Sequence, residues 1–534
     1  MSRTMQALLQ SPHAEWLRLD REMPHHWSLL VAGALFSVIL VHRLLWAYPQ
    51  DPREPKLIRP RLPIIGHVVS IYIHGSRHFS RIAKETGLAI YQMPVPFGKI
   101  AIANTPEVLS SIDKNPRAVA FVPIAAKVID RLSGLSRAAS KTLCAQTVGE
   151  DRMEGYLYKV TKDIHSTLVP GASLSVITTK ASQVLNGSIK KLHGTTTRMN
   201  LLPWFRHEFG MSSTEGIYGP MNPFRDAKVE AGFWAFDDSI SDLLISPKAS
   251  LTCRFGDQGR ADAWAGFEKY FAERGHKQGS DLVKARYETA LQKGMSTLDI
   301  AKLEVTMIIG ILTNTVPTIF WAVYYVYSDP AILKKLREEI SSVAIAGVDK
   351  ETGKPVWTLR SSDLKAKCVY LTATINETLR MRTCGISSRI VTEDVVLSNR
   401  YLLKQGTVCE LPNNVLHSNA AYWGPTVDEF EPERFLASPS SKEARMARGA
   451  FRPFGGGVSM CAGRYQAMSQ LAGGLALFVM SSDCAPEGGK PWKFPGAHGH
   501  TIAAAVDLPS SDLWLDVKPR TGFEDAYWQI DPEN

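Results

Sequence analysis

One cysteine stands between a glycine-rich run and a long apolar stretch in RPFGGGVSMCAGRYQAMSQLAGGLALFVM, which begins at Arg452. Gly455, Gly456 and Gly457 allow positive φ and let the backbone approach a flat ligand closely. Cys461 falls at the opening of a predicted helix, where the helix dipole and free backbone N–H groups favour a thiolate over a thiol. Gly463 leaves room for close packing beside it. A lone cysteine beside a glycine turn is otherwise a structural residue, so its meaning depends on what accompanies it.

Two patterns lie upstream. NETLR, from Asn376, sets Glu377 and Arg380 three apart on one helix face, where they can pair. By itself that spacing says little, since helices carry solvated pairs constantly. FEPERF, residues 430–435, follows and contains Arg434. In this order, together with FGGGVSMCAG, from Phe454 through Gly455 and Gly457 to Cys461 and Gly463, the chain resembles the cytochrome P-450 superfamily, whose signature is Phe-x-x-Gly-x-x-x-Cys-x-Gly. The resemblance implies a mainly α fold with small antiparallel sheets, and Cys461 as axial thiolate of a haem b iron. A thiolate trans to oxygen donates electron density to haem iron and favours O–O cleavage. It also implies that Phe454, Gly455, Gly457, Gly463 and Arg389 bind the cofactor, Arg389 at a haem propionate. Glu377, Arg380 and Arg434 would form a buried charge network holding the core around the cysteine loop, because a buried arginine needs such partners.

The sequence departs from the family pattern in three places. Ser459 stands where most members carry Arg or His, so a hydroxyl replaces a charge, and the usual Trp-x-x-x-Arg pattern on an earlier helix is missing. In VTMIIGILTNTVPTIFWAVYYV, from Val305, the oxygen-binding pattern (Ala/Gly)-Gly-x-(Asp/Glu)-Thr aligns with GILTN, so Thr313 replaces the acid and Asn314 the alcohol. The Asn314 amide, the Thr313 and Thr315 hydroxyls and ordered water must then supply distal hydrogen bonds. Pro317 lacks an N–H for the Thr313 carbonyl, so the helix should kink or open there, either to make a groove or to meet a packing need. The run NTVPTIFW is similar to a branch holding bile-acid sterol hydroxylases and prostacyclin synthase, which implies bulky, rigid, lipophilic substrates.

These residues need elements to position them. Residues 27–46, WSLLVAGALFSVILVHRLLW, are long and apolar enough for a transmembrane anchor, with His42 and Arg43 able to snorkel. They follow a short tail, 1–26, and precede a proline-rich stiff hinge, 47–66. Basic residues beyond the span weakly place the body on the cytosolic side. Residues 67–534 read as one haem domain. LAIYQM and KIAIAN, near 88–104, suggest a small antiparallel sheet, helical periodicity dominates 150–345, and Ser328, Asp329 and Pro330 start a helix. Residues 438–449 are polar and read as an exposed loop.

Composition, 45% hydrophobic and 21% charged, is that of a globular protein. The formal charge of +9 suits an anionic membrane or an acidic redox partner better than nucleic acid, for which no basic tract interleaved with aromatics is present. Seven scattered cysteines without a CxxC pair give no zinc spacing and no disulfide framework, which fits a reducing compartment. The sequons at Asn186 and Asn376 are read as chance matches. The expected enzyme is therefore a single-pass endoplasmic reticulum monooxygenase of secondary metabolism. It would use O2 and electrons from an NADPH-cytochrome P-450 reductase on a terpenoid or steroid-like molecule. A peroxide isomerase needing no external electrons, or a non-catalytic haem sensor or electron carrier, are the alternatives.

Overall fold

The computed structural model describes residues 30–38, 40, 50–60, 66–95, 98–192, 194, 196–246, 252–350, 352–437, 440–498 and 504–532. The body is mainly helical with four small sheets among the described residues. Its core is built around a long apolar helix pair, α4 (Thr297–Leu312) and α5 (Thr315–Ser328), whose side chains from Thr315 to Tyr327 are all buried. Helices α1 (Leu201–Tyr218), α7 (Val369–Arg382) and α9 (Arg464–Ser481) pack against α5. Phe205, Phe209, Phe320, Trp321 and Phe478 fill the space between them, each below 2% exposure. Burial of such side chains contributes about 1.5–3 kcal/mol each. Helices α2 (Ala227–Asp238) and α3 (Arg254–Ala272) lie along each other, and α3 packs on α4.

The helix opening expected near Pro317 is present as an interruption at Thr313 and Asn314. Pro317 is the third residue of α5, where a missing N–H costs no intrahelical bond. The residues spanning both helices are long and apolar enough to cross a membrane, but 72% of their most apolar 18-residue window is buried in the protein, as a core helix would be. Asp329 caps α6 (Pro330–Val343), accepting from the N–H groups of Ala331 at 2.8 Å and Ile332 at 3.3 Å, with Pro330 in the first turn.

The sheet near the N-terminus is larger than its first hairpin. Strands β1 (Ile90–Val95) and β2 (Gly98–Ala103) pair antiparallel. The sheet continues through β5 (Val408–Pro412), parallel to β2, and β4 (Ile386–Val391) to the short β3 (Val119–Ala120). It therefore joins the N-terminal segment to the strand that follows α7.

Most of the expected anchor lies outside the described residues. Residues 30–38 are helical, with Leu30, Leu35 and Phe36 exposed. The described part of the proline-rich hinge is not extended throughout: it turns at residues 51–54, where the Glu54 N–H donates to the Asp51 carbonyl at 2.9 Å. It is then tied to the sheet, as Ile58 donates to the Gln92 carbonyl at 2.8 Å and Lys99 pairs with the buried Glu54 at 2.6 Å. Residues 442–450 form a helix, α8 (Lys442–Ala450), where a loop was expected. Ser441 caps it by accepting from Ala444, and the alanine, lysine and arginine content favours helix although the surface is polar. The Asn186 amide is spent on both backbone groups of Ile530, at 2.8 and 2.9 Å.

Candidate haem-thiolate site

Cys461 lies two residues before the N-cap of α9, and its thiol accepts from the backbone N–H groups of Gly463 and Arg464. Burial pushes the thiol up. Those two donors and the Arg464 charge pull it back down, and Cys461 is nonetheless an exposed residue. A Cβ on Gly463 would meet only Cys461 Sγ, at 3.9 Å, so the glycine keeps space on the thiol side. Val458 and Met460, in the same loop, are exposed apolar residues. An accessible sulfur held by backbone donors, in a loop with exposed apolar residues, is one that could hold a haem iron as a thiolate ligand.

The loop itself explains its glycines. Cys461 N–H donates back to the Phe454 carbonyl at 2.9 Å, closing the run into a tight bend. Gly455 and Gly457 adopt φ of +75° and +61°, the left-handed region that side chains disfavour. A Cβ on Gly457 would also lie 2.9 Å from Asp113 Oδ1, and Asp113 pairs with Arg452 at 2.8 Å across the mouth of the loop.

Glu377, Arg380 and Arg434 come together in the interior. Arg380 donates from Nε and Nη2 to the two Glu377 oxygens, each at 2.7 Å. Arg434 Nε reaches Glu377 at 3.3 Å, and the Glu431 N–H adds a bond at 3.0 Å. Arg380 also donates to the carbonyls of His417, Val427 and Glu429. Glu377 is fully buried and Arg380 nearly so.

His417 is a residue that motif reasoning missed. Its carbonyl receives Arg380, and its Nε2 accepts the N–H of Arg452, the first residue of the cysteine loop, at 3.0 Å. Burial and the neighbouring Arg380 charge lower its pKa to about 3, so it is the neutral ring that accepts. One histidine thus couples the charge network to the loop.

Arg389, on β4, donates to the hydroxyls of Ser387, at 2.6 Å, and Ser459. It supplies the positive charge that Ser459 lacks; the Ser459 hydroxyl accepts from Arg389 and donates to the Gly456 carbonyl at 3.1 Å, so it braces the guanidinium, whose remaining N–H groups suit a carboxylate. Phe121 stacks on the guanidinium, with the ring centroid 4.8 Å away. Phe454 packs partly buried against the main core.

On α4 and α5 the three candidate distal residues have protein partners. Thr313 donates its hydroxyl to Asp237 on α2. Thr315 bonds back to the Ile311 carbonyl at 3.0 Å. Asn314 Oδ1 accepts the N–H of Ala505 at 2.9 Å, which leaves its Nδ2 without a protein partner among the described residues. Ala505 in turn accepts from Cys384 and Gly385, and Trp321 donates to the Asp507 carbonyl at 2.6 Å. The helix break, the strand after α7 and the segment around Ala505 therefore meet at Asn314. No motif announces the Ala505 segment, whose bond to Asn314 joins backbone to side chain across nearly two hundred residues.

Comparison with known proteins matches residues 267–499 to the cytochrome P450 family model. The chain is 30% identical to the cytochrome P450 monooxygenase nodJ of Hypoxylon pulicicidum, covering 94% of this chain and 97% of that protein. It is 28% identical to the human 24-hydroxycholesterol 7-alpha-hydroxylase over 41% of this chain and 48% of that one. The crystal structure of the cytochrome P450DA heme domain superposes with a TM-score of 0.67 at 16% identity, over 88% of this chain and 99% of that one, and shows the same fold. With a mainly helical haem-domain fold, a cysteine loop of the family's form and a near full-length relative at that identity, this chain belongs to the cytochrome P450 family and is an oxidoreductase of the monooxygenase type.

Proposed function

We propose that the protein oxidises a bulky lipophilic small molecule, of terpenoid or steroid-like type, at a haem held by Cys461. The reaction would use O2 and electrons from an NADPH-cytochrome P450 reductase. The observation that carries this reading is the accessible Cys461 thiol held by the N–H groups of Gly463 and Arg464. The haem supplies oxygen activation and insertion. The protein's own residues do the rest. Arg389, braced by Ser459, would orient a propionate, Gly455 and Gly457 would let the backbone come close to the ring, and the Glu377, Arg380 and Arg434 network with His417 holds the loop rigid. Asn314 offers Nδ2 as a donor on the opposite face. A sterol-like substrate is supported by the likeness to the 24-hydroxycholesterol hydroxylase and by the NTVPTIFW run.

A single-pass anchor at 27–46 would hold the domain at the endoplasmic reticulum membrane, facing the cytosol, beside lipid-dissolved substrates and the reductase. The exposed apolar helix at residues 30–38 supports this. The test is reconstitution with reductase, NADPH and candidate sterols or terpenoids under labelled O2. Product should gain one labelled oxygen. Turnover of a peroxide without NADPH would replace the reading by an isomerase.

A further inference from the structure

The helix break that lacks an acid has one beside it. Asp237, near the C-terminal end of α2, accepts the Thr313 hydroxyl although 76 residues separate them in sequence. Residue Asp237 is half-buried, on the same helix as the exposed Asp238. Its neighbour Asp238 has a half-exposed side chain and pairs with Arg206 of α1, whose Nη1 reaches Asp238 Oδ2 at 3.1 Å. Arg206 and Asp238 are the charged groups that act on Asp237, pulling its affinity for a proton in opposite directions.

We propose that Asp237 is the proton-relay residue of the distal side, acting through Thr313 in place of the carboxylate missing from the interrupted helix. The inference rests on the proposed placement of Thr313 and Asn314 opposite Cys461. As a residue Asp237 is only half-buried, yet protein crowds its carboxyl enough that burial pushes it up to about 6, against the Thr313 bond and Arg206. Near neutral pH both of its forms are then populated. As carboxylate, Asp237 accepts from Thr313 and holds that proton away from the distal space. As acid, it donates to Thr313, and the hydrogen bond reverses so that the Thr313 hydrogen turns to the next acceptor. In the handoff the Asp237 O–H bond breaks as a new one forms at Thr313, while Thr313 gives its original proton to water in the distal space. Asp237 is left ionised and recovers a proton from solvent on the Asp238 side. No electron moves in this step.

The test uses the haem-loaded full chain and O2 alone as probe. The dithionite-reduced protein is mixed with O2 in H2O and in D2O, and its reoxidation is followed for wild type, Asp237→Asn, Asp237→Glu, Thr313→Val and Thr313→Ser. Removing the acid should slow reoxidation on the order of 100-fold and abolish the D2O effect. Thr313→Val should match it, while the Glu and Ser variants recover most of the rate. At pH 6, a carboxyl infrared band should vanish in Asp237→Asn and shift in Thr313→Val without any turnover. If Asp237→Asn takes up no haem, Thr313→Val carries the same measurement. Wild-type rate and isotope effect in both Asp237→Asn and Thr313→Val overturn the relay. A wild-type protein without the thiolate-type carbon monoxide spectrum overturns the haem reading beneath it.

Discussion

Replacing Arg380 by Leu removes two bonds to Glu377, at 2.7 Å each, and three to the carbonyls of His417, Val427 and Glu429. Glu377 would remain fully buried, with only Arg434 at 3.3 Å and the Glu431 N–H as partners. Breaking a buried ion pair from one side costs about 3–5 kcal/mol, because a charge is left uncompensated. Glu377→Leu should cost a similar amount, since it strands the Arg380 guanidinium. The double variant removes both charges, and Arg434 keeps its own pair with Glu431 at 2.9 Å. Its cost should therefore fall at least about 2 kcal/mol short of the sum of the singles. Urea unfolding, followed by tryptophan fluorescence and by haem absorbance, measures all four corners of the cycle. Additivity within about 0.5 kcal/mol would refute the network as a coupled unit.

His417 titrates at about 3 in the fold against an ordinary 6.5. Below 6.5 the unfolded chain binds a proton that the folded one does not. This contribution is complete above pH 6.5 and falls by about 1.4 kcal/mol per pH unit toward pH 3. Between pH 7 and pH 5, wild type should lose about 2 kcal/mol more unfolding free energy than His417→Gln, and equal losses would contradict the assignment. Gly455→Ala meets nothing closer than 3.6 Å and should cost only the left-handed penalty, about 1–2 kcal/mol. Gly457→Ala must also displace Asp113 from Arg452, so its melting temperature should drop further; the reverse order would show that the Asp113 pair does not brace the loop. Arg389→Gln should speed haem transfer to an acceptor protein about 10- to 100-fold, from the loss of a charge-assisted bond. An unchanged rate would remove Arg389 from the propionate site.

The parts of the site carried by local patterns could be read from the chain. The Cys461 loop needs glycine where φ is positive, and Glu377 and Arg380 share a helix face at a spacing of three, so both leave marks in sequence. Pro317 marked the helix opening for the same reason. Asp237 and His417 left none, because each meets its partner through tertiary packing between distant elements and neither spacing nor residue type predicts the meeting. The absence of an acid at position 313 was legible; that α2 supplies one to Thr313 was not. Polarity misled at residues 442–450, where an exposed helix was read as a loop, since helix propensity and solvent exposure are independent properties.

The assignment of Cys461 as the haem ligand is tested most directly by Cys461→Ala, reduced and exposed to carbon monoxide. The thiolate-type spectrum of the wild-type protein should be abolished, while circular dichroism keeps its helical content. A variant that retains that spectrum would contradict the account at its centre.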